Sequence, residues 1–342
     1  MQGVVGNGKI HPMPLNQILT RRQFDRASFL SIVYEWEEDL AAALQVDLAP
    51  AFQDRNVWIK SLELLCQPLA WLLETRRRAF VFEIGVERSP SRNKPNVIPC
   101  IIDFWLRGGW KMLLFRYLTF RNPLVLITSR EAYEHLVSCG WGKRIRHFPL
   151  SISDRYRIKS ETRFEKKYDL MVVGRQNPVL KGFLDRYAAE HADFRYVRRV
   201  VENGIARYRL SDGSPAEGGG EGDGREQYMA YMRLSRAILY STPGIDASRG
   251  TANGFNQVTP RFLEGIACGC HILARYADNP DTRFYEVSKI APHIDSYEMF
   301  ARLLDKARTE LVDMDKYAHY LERHYTSTRT GLLKEIVAEA WK

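Results

Sequence analysis

The chain has 342 residues, of which 45% are hydrophobic and 27% are charged. This apolar content excludes a disordered chain, and the length is too great for one ordinary core, so we expect two domains of roughly 150–190 residues each. Lysine and arginine total 50 against 41 aspartates and glutamates, and the net charge of +9 favours an anionic partner (nucleic acid, a phosphorylated substrate or an acidic membrane surface) without choosing among them.

No segment predicts a membrane-spanning helix or a leader peptide. The most apolar stretch, residues 64–73, has about half of the ~20 residues that a bilayer-spanning helix needs. The first 14 residues contain no hydrophobic run of the signal-peptide type. We therefore expect a cytoplasmic protein with reduced thiols. Cys268 and Cys270 lack a second cysteine or histidine pair for zinc, so we interpret them as small buried thiols.

Short apolar runs alternate with helical patterns from the start of the chain, which is typical of a parallel α/β architecture. In the first half the pattern predicts strands at 29–34, 79–85, 97–103, 124–128 and 146–150. Helices are predicted between them at 57–78, 109–120 and 130–139.

The second half repeats the alternation. Its predicted strands are 170–174, 194–197, 237–240, 271–274 and 288–291. Its predicted helices are 181–191, 225–235, 260–268, 297–311 and 315 to the end.

A polar, charged segment, residues 151–167, separates the two sets of strands. We therefore expect a first domain over 1–155, a second over 156–314, and C-terminal helices over 315–342 that cross back to the first. Two Rossmann-like halves joined in this way leave a cleft between the carboxyl edges of two parallel sheets, where ligands bind in such folds.

Residues 211–226 have an unusual composition, with six glycines and no apolar residue larger than alanine or proline. The segment lacks the Gly-Lys-Ser/Thr ending of a phosphate-binding loop. We interpret it as a mobile surface loop, with a lid over the cleft as the alternative.

The first segment that could bind a ligand begins where a predicted strand ends at Gly174. Glycine lets the backbone approach a ligand closely, and the following helix begins with N–H groups suited to phosphate. Arg175 and Lys181 flank this turn and supply positive charge for phosphate oxygens. The alternative is a pair of surface cations that open an ordinary helix.

The second segment is NQVTPRFLEG, which begins at Asn256. Thr259 and Pro260 are suited to the N-cap and the first turn of a helix. This places Arg261 in the first turn and Glu264 one turn further along. A carboxylate there can accept hydrogen bonds from both hydroxyls of a ribose, and the alternative is that Glu264 only balances Arg261 on a solvated face.

Together the two segments resemble the C-terminal domain of GT-B glycosyltransferases, namely the four-group and related spore-coat-type families. Their pattern is a strand followed by Gly-Arg, then Lys-Gly, then Arg-x-x-Glu-Ala/Gly about eighty residues later. Here these positions are Gly174, Arg175, Lys181, Arg261 and Glu264.

The resemblance covers about residues 168–307 and implies a GT-B fold, in which two Rossmann-like domains face each other across a cleft. It implies that Arg175 and Lys181 hold the diphosphate of a nucleotide-sugar donor and that Glu264 holds its ribose. It also implies that no divalent metal or other cofactor is needed. The remaining donor-binding candidates are Gly174, Asn256, Thr259 and Arg261.

Two positions depart from the family pattern. Asn256 stands where the four-group family has a second glutamate at the transferred sugar. In the first half, Asp103 follows an apolar strand where the family often has His-Asp. We interpret Asp103 as the catalytic base if the reaction inverts configuration. Alternative carboxylates follow the first predicted strand, at Glu35, Glu37, Glu38 and Asp39.

Residues 107–121 carry four basic and no acidic side chains among several aromatic residues and leucines. This composition suits a helix in an anionic membrane interface. The alternative is an ordinary sheet-packed helix with exposed basic residues, which is favoured because the apolar residues spread around most of the helix.

The sequence therefore predicts a metal-independent glycosyltransferase that moves a hexosyl or deoxyhexosyl group from a nucleotide-diphosphate sugar to a glycan or lipid-linked glycan. We expect a role in bacterial surface polysaccharide synthesis, in the cytoplasm or at the inner face of the membrane. Nucleic-acid binding is the rival function, but no recognisable nucleic-acid motif is present, so we expect no nucleic-acid partner. A nucleotide-sugar epimerase and an inactive partner subunit are further alternatives within the same architecture.

Overall fold

The strands form two separate sheets. The computed structural model describes residues 15–23, 30–51, 77–85, 94–202, 205–219 and 224–341. The strands there are β1 Gln17–Thr20, β2 Asp47–Pro50, β3 Ala79–Ile84, β4 Val97–Ile102, β5 Val125–Ile127, β6 Ile145–His147, β7 Tyr168–Val172, β8 Tyr196–Glu202, β9 Ile205–Leu210, β10 Ser235–Ser241 and β11 His271–Arg275.

The first sheet has the order β2-β1-β3-β4-β5-β6, and all of its neighbouring strands are parallel. The second has the order β11-β10-β7-β8-β9 and is parallel except for the antiparallel pair β8–β9. The expected α/β class with two Rossmann-like parts is confirmed. We call the residues up to β6 the N-terminal half and those from β7 to the end of β11 and its following helices the C-terminal half.

Helices cover both sheets. They are α1 Ser31–Leu44, α2 Trp110–Thr119, α3 Arg130–Leu136, α4 Pro178–Glu190, α5 Arg225–Arg233, α6 Pro260–Ala267, α7 Pro280–Phe284, α8 Val287–Ile290, α9 Tyr297–Thr309, α10 Met314–Leu321 and α11 Thr326–Ala340. The predicted strands other than 29–34 and 288–291 correspond to observed strands, with ends shifted by a few residues. The helix predicted over 57–78 lies mostly outside the described residues.

Two predicted strands are wrong. Of the strand predicted at 29–34, residue 29 lies outside the described residues and residues 31–34 lie in helix α1. The buried residues Val33, Trp36, Leu40 and Leu44 of α1 recur at helical spacing. A six-residue apolar run was too short to distinguish this helix from a strand. The strand suggested at 288–291 is the short helix α8.

The chain crosses between the halves along the segment that follows β6. Ile152 there pairs with Tyr325, just before α11, through backbone hydrogen bonds to the neighbouring residues. Helix α11 packs Leu333 and Ile336 into the same buried cluster as Trp36 of the N-terminal half. Helix α10, by contrast, packs into the core of the C-terminal half. The domain limits at 155/156 and 314/315 remain our proposal.

Two smaller observations bear on the sequence predictions. No helix in the described ranges is both long enough and apolar enough to cross a membrane. Cys268 and Cys270 are fully buried, whereas Cys139 is exposed. The glycine-rich segment is tied down in its described part, because Tyr168 and Tyr208 bond to the backbone of Glu217 and Ala216.

Candidate active site between the two sheets

Asp103 lies at the carboxyl end of β4 and faces the C-terminal half. Its backbone is left-handed, with φ 59°, which a non-glycine residue adopts rarely and at an energetic cost. Such conformations cluster at functional sites, where the surrounding structure holds them. Arg249 reaches across from the C-terminal half and donates from Nη1 to Asp103 Oδ2 over 2.9 Å. The predicted base therefore already has a cationic partner.

The turn after β7 brings a second arginine to the same place. Gly174 has φ +65°, and a Cβ atom there would lie 2.3 Å from Arg261 Nη2. The Arg261 guanidinium thus rests against the glycine backbone, and its Nη1 lies 3.5 Å from the carbonyl oxygen of Arg175. A Cβ at position 174 would require the end of the Arg261 side chain to shift, and the positive φ favours glycine there.

Arg175, Arg249 and Arg261 form a cluster of guanidinium groups, which we call the arginine cluster. Burial lowers the pKa of Arg175, and the nearby charges of Arg249 and Arg261 lower it further, while Asp103 opposes them. Asp103 therefore interacts with two arginines of the cluster, Arg249 and Arg175. Guanidinium groups match phosphate oxygens in charge and geometry, so the cluster suits a diphosphate.

Lys181 is not brought into the arginine cluster. Its Nζ pairs with Asp185 on the exposed face of α4. The start of α4 is also occupied by its own N-cap. Asn177 Oδ1 accepts from the N–H groups of Val179 and Leu180, and its carbonyl accepts from the N–H of Lys181. The helix start thus offers less to a phosphate than the sequence suggested, and the arginines carry the positive charge.

Glu264 is buried in a network that the sequence did not predict. Arg225 Nη1 donates to its Oε1 over 2.5 Å, and the Tyr228 hydroxyl donates to its Oε2 over 2.6 Å. The alternative that Glu264 balances Arg261 is therefore wrong. Arg225 Nε also bonds to Glu35 Oε2 over 3.3 Å, so the network joins the two halves. Burial would lower the pKa of Arg225, but the carboxylates of Glu264 and Glu35 outweigh it and raise the pKa.

A cavity of about 710 Å³ lies beside this network. It is lined by Arg22, Ser31, Tyr34, Glu35, Glu38, Arg155, Tyr156, Arg225, Glu226, Met229 and Arg233. Of the four alternative carboxylates, Glu35 and Glu38 therefore line the cavity, and Glu35 is almost completely buried. Glu37 points into the core, where burial raises its pKa to about 8, and Asp39 accepts from the N–H of Asp154 over 3.1 Å.

Asn256 and Thr259 serve mainly as structural contacts. The Asn256 side chain accepts from Thr242 over 2.8 Å, and its backbone N–H donates to Glu131 of the N-terminal half over 2.6 Å. Thr259 is the N-cap residue of α6, as predicted, but its side chain makes no capping bond. Neither has a hydrogen bond to the arginine cluster in the described residues.

Polar contacts join the two halves next to the site. Glu131, in the first turn of α3, accepts from Asn279 Nδ2 over 3.0 Å as well as from Asn256. Asp281 of the C-terminal half accepts from the Ser129 hydroxyl over 2.5 Å and from the Glu131 N–H over 3.2 Å. Ser129 is the N-cap of α3, and Asp281 adds a second acceptor for its first turn from the opposite half, which links the two halves.

The residues that sequence reasoning missed are Arg225, Tyr228 and Arg249. Arg249 lies in an irregular segment between β10 and α6 and matches no motif, and Arg225 lies near the end of the glycine-rich segment, where α5 begins. No group of three or more histidine, cysteine, aspartate or glutamate side chains in the described ranges is arranged to hold a metal ion.

The same architecture occurs in solved glycosyltransferases. AviGT4, a glycosyltransferase involved in avilamycin A biosynthesis, matches with a TM-score of 0.57 and 16% identity over 95% of this chain and 97% of that one. A glycosyltransferase from Rickettsia africae ESF-5 matches with a TM-score of 0.57 and 10% identity over 96% and 99%. The chain has the GT-B fold.

A UDP-GlcNAc 2-epimerase from Methanocaldococcus jannaschii also matches this GT-B chain, with a TM-score of 0.46 and 10% identity over 95% of this chain and 99% of that one. That likeness is too weak to carry an argument. No protein-family model and no curated protein matches the chain. The comparisons therefore establish the fold, and any statement about function depends on the residues of the site.

Proposed function

We propose that the protein is a glycosyltransferase that uses a nucleotide-diphosphate sugar. The observation that carries the proposal is the arginine cluster, which lies at the turn after β7 and faces Asp103 at the end of β4. In open α/β sheets, ligands bind at the carboxyl ends of the strands. An anion-binding group and a carboxylate therefore face each other where donor and acceptor would meet.

The donor diphosphate would lie against Arg175 and Arg261, with Gly174 allowing close approach of the backbone. As the bond between sugar and diphosphate breaks, negative charge grows on the leaving oxygen. Fixed guanidinium groups stabilise that charge more than they stabilise the bound donor, which lowers the barrier. This role needs no metal or other cofactor.

The acceptor hydroxyl would lie on the side of Asp103. In an inverting reaction the carboxylate takes the hydroxyl proton as the oxygen attacks the sugar carbon. Glu264 would bind the ribose, as the family resemblance implies, through lone pairs that Arg225 and Tyr228 leave available. Asn256 and Thr259 would shape the entrance to α6 rather than contact the phosphates.

We further propose that the acceptor is a glycan or lipid-linked glycan of bacterial surface polysaccharide synthesis, reached at an anionic membrane surface through α2. Trp110 and Leu113 are each 68% exposed, and Tyr117 is 52% exposed. Only part of the helix is packed, since Met112 and Phe115 are buried. Exposed aromatic and basic side chains on one helix support binding at the lipid headgroup level.

A transfer assay tests the proposed function. The protein is mixed with a panel of nucleotide-diphosphate sugars, with and without bacterial membrane lipids, and the release of nucleoside diphosphate and of labelled glycan is measured. We expect release that depends on the acceptor and that Arg175→Ala abolishes. The exposed Arg302, on α9, provides the matched control Arg302→Ala.

Sugar isomerisation without an acceptor would instead identify an epimerase. The absence of any turnover, together with tight binding of nucleic acid, would overturn the proposal.

A further inference from the structure

We infer that Arg249 is shared between two partners: it holds Asp103 before the donor binds and turns to the donor diphosphate afterwards, which frees the carboxylate. The inference rests on the proposed function and adds a residue that neither the sequence motifs nor the family resemblance assigns. It makes Arg249 a donor ligand whose movement couples donor binding to the release of the base.

The contacts of Arg249 leave part of its guanidinium available. Nη1 bonds to Asp103 and Nε bonds to Thr251 over 3.1 Å. Nη2 makes no hydrogen bond to any residue in the described ranges. The guanidinium also lies over the Trp105 ring, 5.1 Å from its centroid. Because the Arg249 and Asp103 side chains are 28% and 24% exposed, solvent and ligand can both reach the pair.

Positively charged side chains outnumber negatively charged ones in the cluster that contains Arg249. Arg249 and Arg261 both stand close enough to act on the charge of Arg175, and Asp103 pairs with Arg249 and also acts on Arg175. Like charges gathered in a partly dehydrated space repel each other, and a bound diphosphate relieves that repulsion. A ligand with at least two negative charges competes with a single carboxylate for the same guanidinium.

The backbone around Arg249 is anchored on both sides. Asp246 is bound by Arg275, over 2.6 Å and 3.0 Å, and Asn253 bonds to Trp105 of the N-terminal half over 2.7 Å. A change of partner therefore requires the side chain of Arg249 to turn and leaves the segment in place. Lys181, which with Arg175 is the cation that the resemblance implies, is paired with Asp185 on the exposed face of α4 instead.

The test is a double-mutant cycle on ligand affinity. Isothermal titration with UDP, GDP and dTDP, and with inorganic pyrophosphate as a probe without base or sugar, is carried out on wild type, Arg249→Ala, Asp103→Asn and the double variant. Arg249→Ala should weaken the best ligand about tenfold or more, as expected for one charge-assisted contact. Lys181→Ala should weaken it less, and Arg302→Ala serves as the matched surface control.

The Asp103→Asn variant distinguishes a shared arginine from a simple ligand. Removing the competing carboxylate should strengthen diphosphate binding severalfold in the wild-type background. This gain in affinity should be smaller in the Arg249→Ala background, because the loss of the Asp103 carboxylate then frees no Arg249 guanidinium for the ligand. Thermal unfolding of each variant confirms that the fold is intact.

Each outcome decides between the claims. If wild type binds a diphosphate but Arg249→Ala behaves like Arg302→Ala, Arg249 is not a donor ligand and the inference fails alone. An equal gain from Asp103→Asn in both backgrounds shows that Asp103 repels the ligand directly, and it overturns the sharing. If wild type binds none of these ligands, the proposed function fails and takes the inference with it.

Discussion

Arg225 donates to Glu264 over 2.5 Å, and both side chains are almost completely buried. The same guanidinium bonds to Glu35 of the N-terminal half over 3.3 Å. Arg225 therefore contacts two buried carboxylates. Arg155 Nη1 lies 3.8 Å from Glu35 Oε1, and hydroxyl donors from Tyr156 and Tyr228 complete the network. This arrangement fixes how the two halves meet on the side of the cavity.

Replacing Arg225 by alanine should destabilise the protein strongly. The change leaves Glu264 buried without its cation and leaves Glu35 only the more distant Arg155, and breaking a buried ion pair in this way typically costs about 3–5 kcal/mol. Urea unfolding measures the loss in the free energy of unfolding. Arg283→Ala is the control, because Arg283 pairs with Asp278 at the surface, where both side chains are more than half exposed. Equal losses in the two variants would contradict a structural role for the network.

Glu264→Gln tests the ribose contact separately from stability. The variant keeps the shape of the side chain but loses the charge that strengthens its hydrogen bonds with hydroxyl donors. Affinity for a ribonucleoside diphosphate should fall more than affinity for the 2′-deoxy form, as measured by titration of UDP and dUDP. Equal reductions would assign Glu264 to the Arg225 network alone.

Gly174→Ala should weaken nucleotide binding about tenfold. A Cβ atom there would lie 2.3 Å from Arg261 Nη2, so the guanidinium must shift from its place against the turn, and the φ of +65° is itself unfavourable for alanine. Gly182→Ala is a matched control, because a Cβ in that helical position meets nothing within 4 Å. The control should retain affinity and gain about 0.5–1 kcal/mol of stability from better helix propensity. Unchanged affinity in Gly174→Ala would remove Arg261 from the site.

Sequence patterns anticipated the fold better than the pairing of the charges. The strands β3, β4, β7 and β10 contain runs of buried apolar residues, and these runs predict strands from the sequence. The edge strand β2 has four mostly exposed residues and carried no comparable signal.

At the site, the motifs pointed to Gly174, Arg175 and Arg261, because a turn between strand and helix is a local feature. Arg249 and Arg225 meet their partners across 146 and 190 positions of sequence, respectively. Such contacts depend on how the two halves pack, which no local pattern in one sequence specifies.

Asp281 should make stability depend on pH. Burial raises its pKa from 3.8 to about 7, although hydrogen bonds from Ser129 and from the backbone of Glu131 oppose the rise. A raised folded-state pKa gives a contribution that is full below pH ~4 and is lost as the pH rises to ~7. The free energy of unfolding of wild type, minus that of Asp281→Asn, should therefore decrease as the pH rises from ~4 to ~7.

The comparison cancels other titrating groups. Burial lowers the pKa of His147 to about 3, so its contribution to the free energy of unfolding is lost as the pH falls below 6.5, opposite to that of Asp281. This loss is the same in wild type and in Asp281→Asn. Parallel pH profiles for wild type and Asp281→Asn would show that Asp281 titrates normally.

The exposed face of α2 predicts salt-dependent binding to anionic vesicles. Lys111 and Arg116 are exposed and Arg121 is partly so, whereas Arg107 bonds to Glu131 and Asn253. About 1 kcal/mol per basic residue gives about 3 kcal/mol from three, before any insertion of Trp110. The variant Lys111→Glu with Arg116→Glu should lose vesicle sedimentation at low salt and keep its nucleotide affinity.

The matched control for vesicle binding is Arg302→Glu with Lys306→Glu, which changes the net charge equally on the exposed side of α9. The control should still sediment with anionic vesicles. If wild type does not sediment with the vesicles at low salt, or if both charge reversals reduce sedimentation equally, α2 does not dock on the membrane.

The central claim is that the arginine cluster binds the diphosphate of a nucleotide sugar. A crystal structure of the protein soaked in turn with UDP, GDP, dTDP and CMP tests it most directly and also reveals which base fits. We expect phosphate oxygens about 3 Å from the guanidinium groups of Arg175 and Arg261, next to Gly174. A nucleotide bound instead in the cavity against Arg155 and Arg225, with the arginine cluster unchanged, would contradict it.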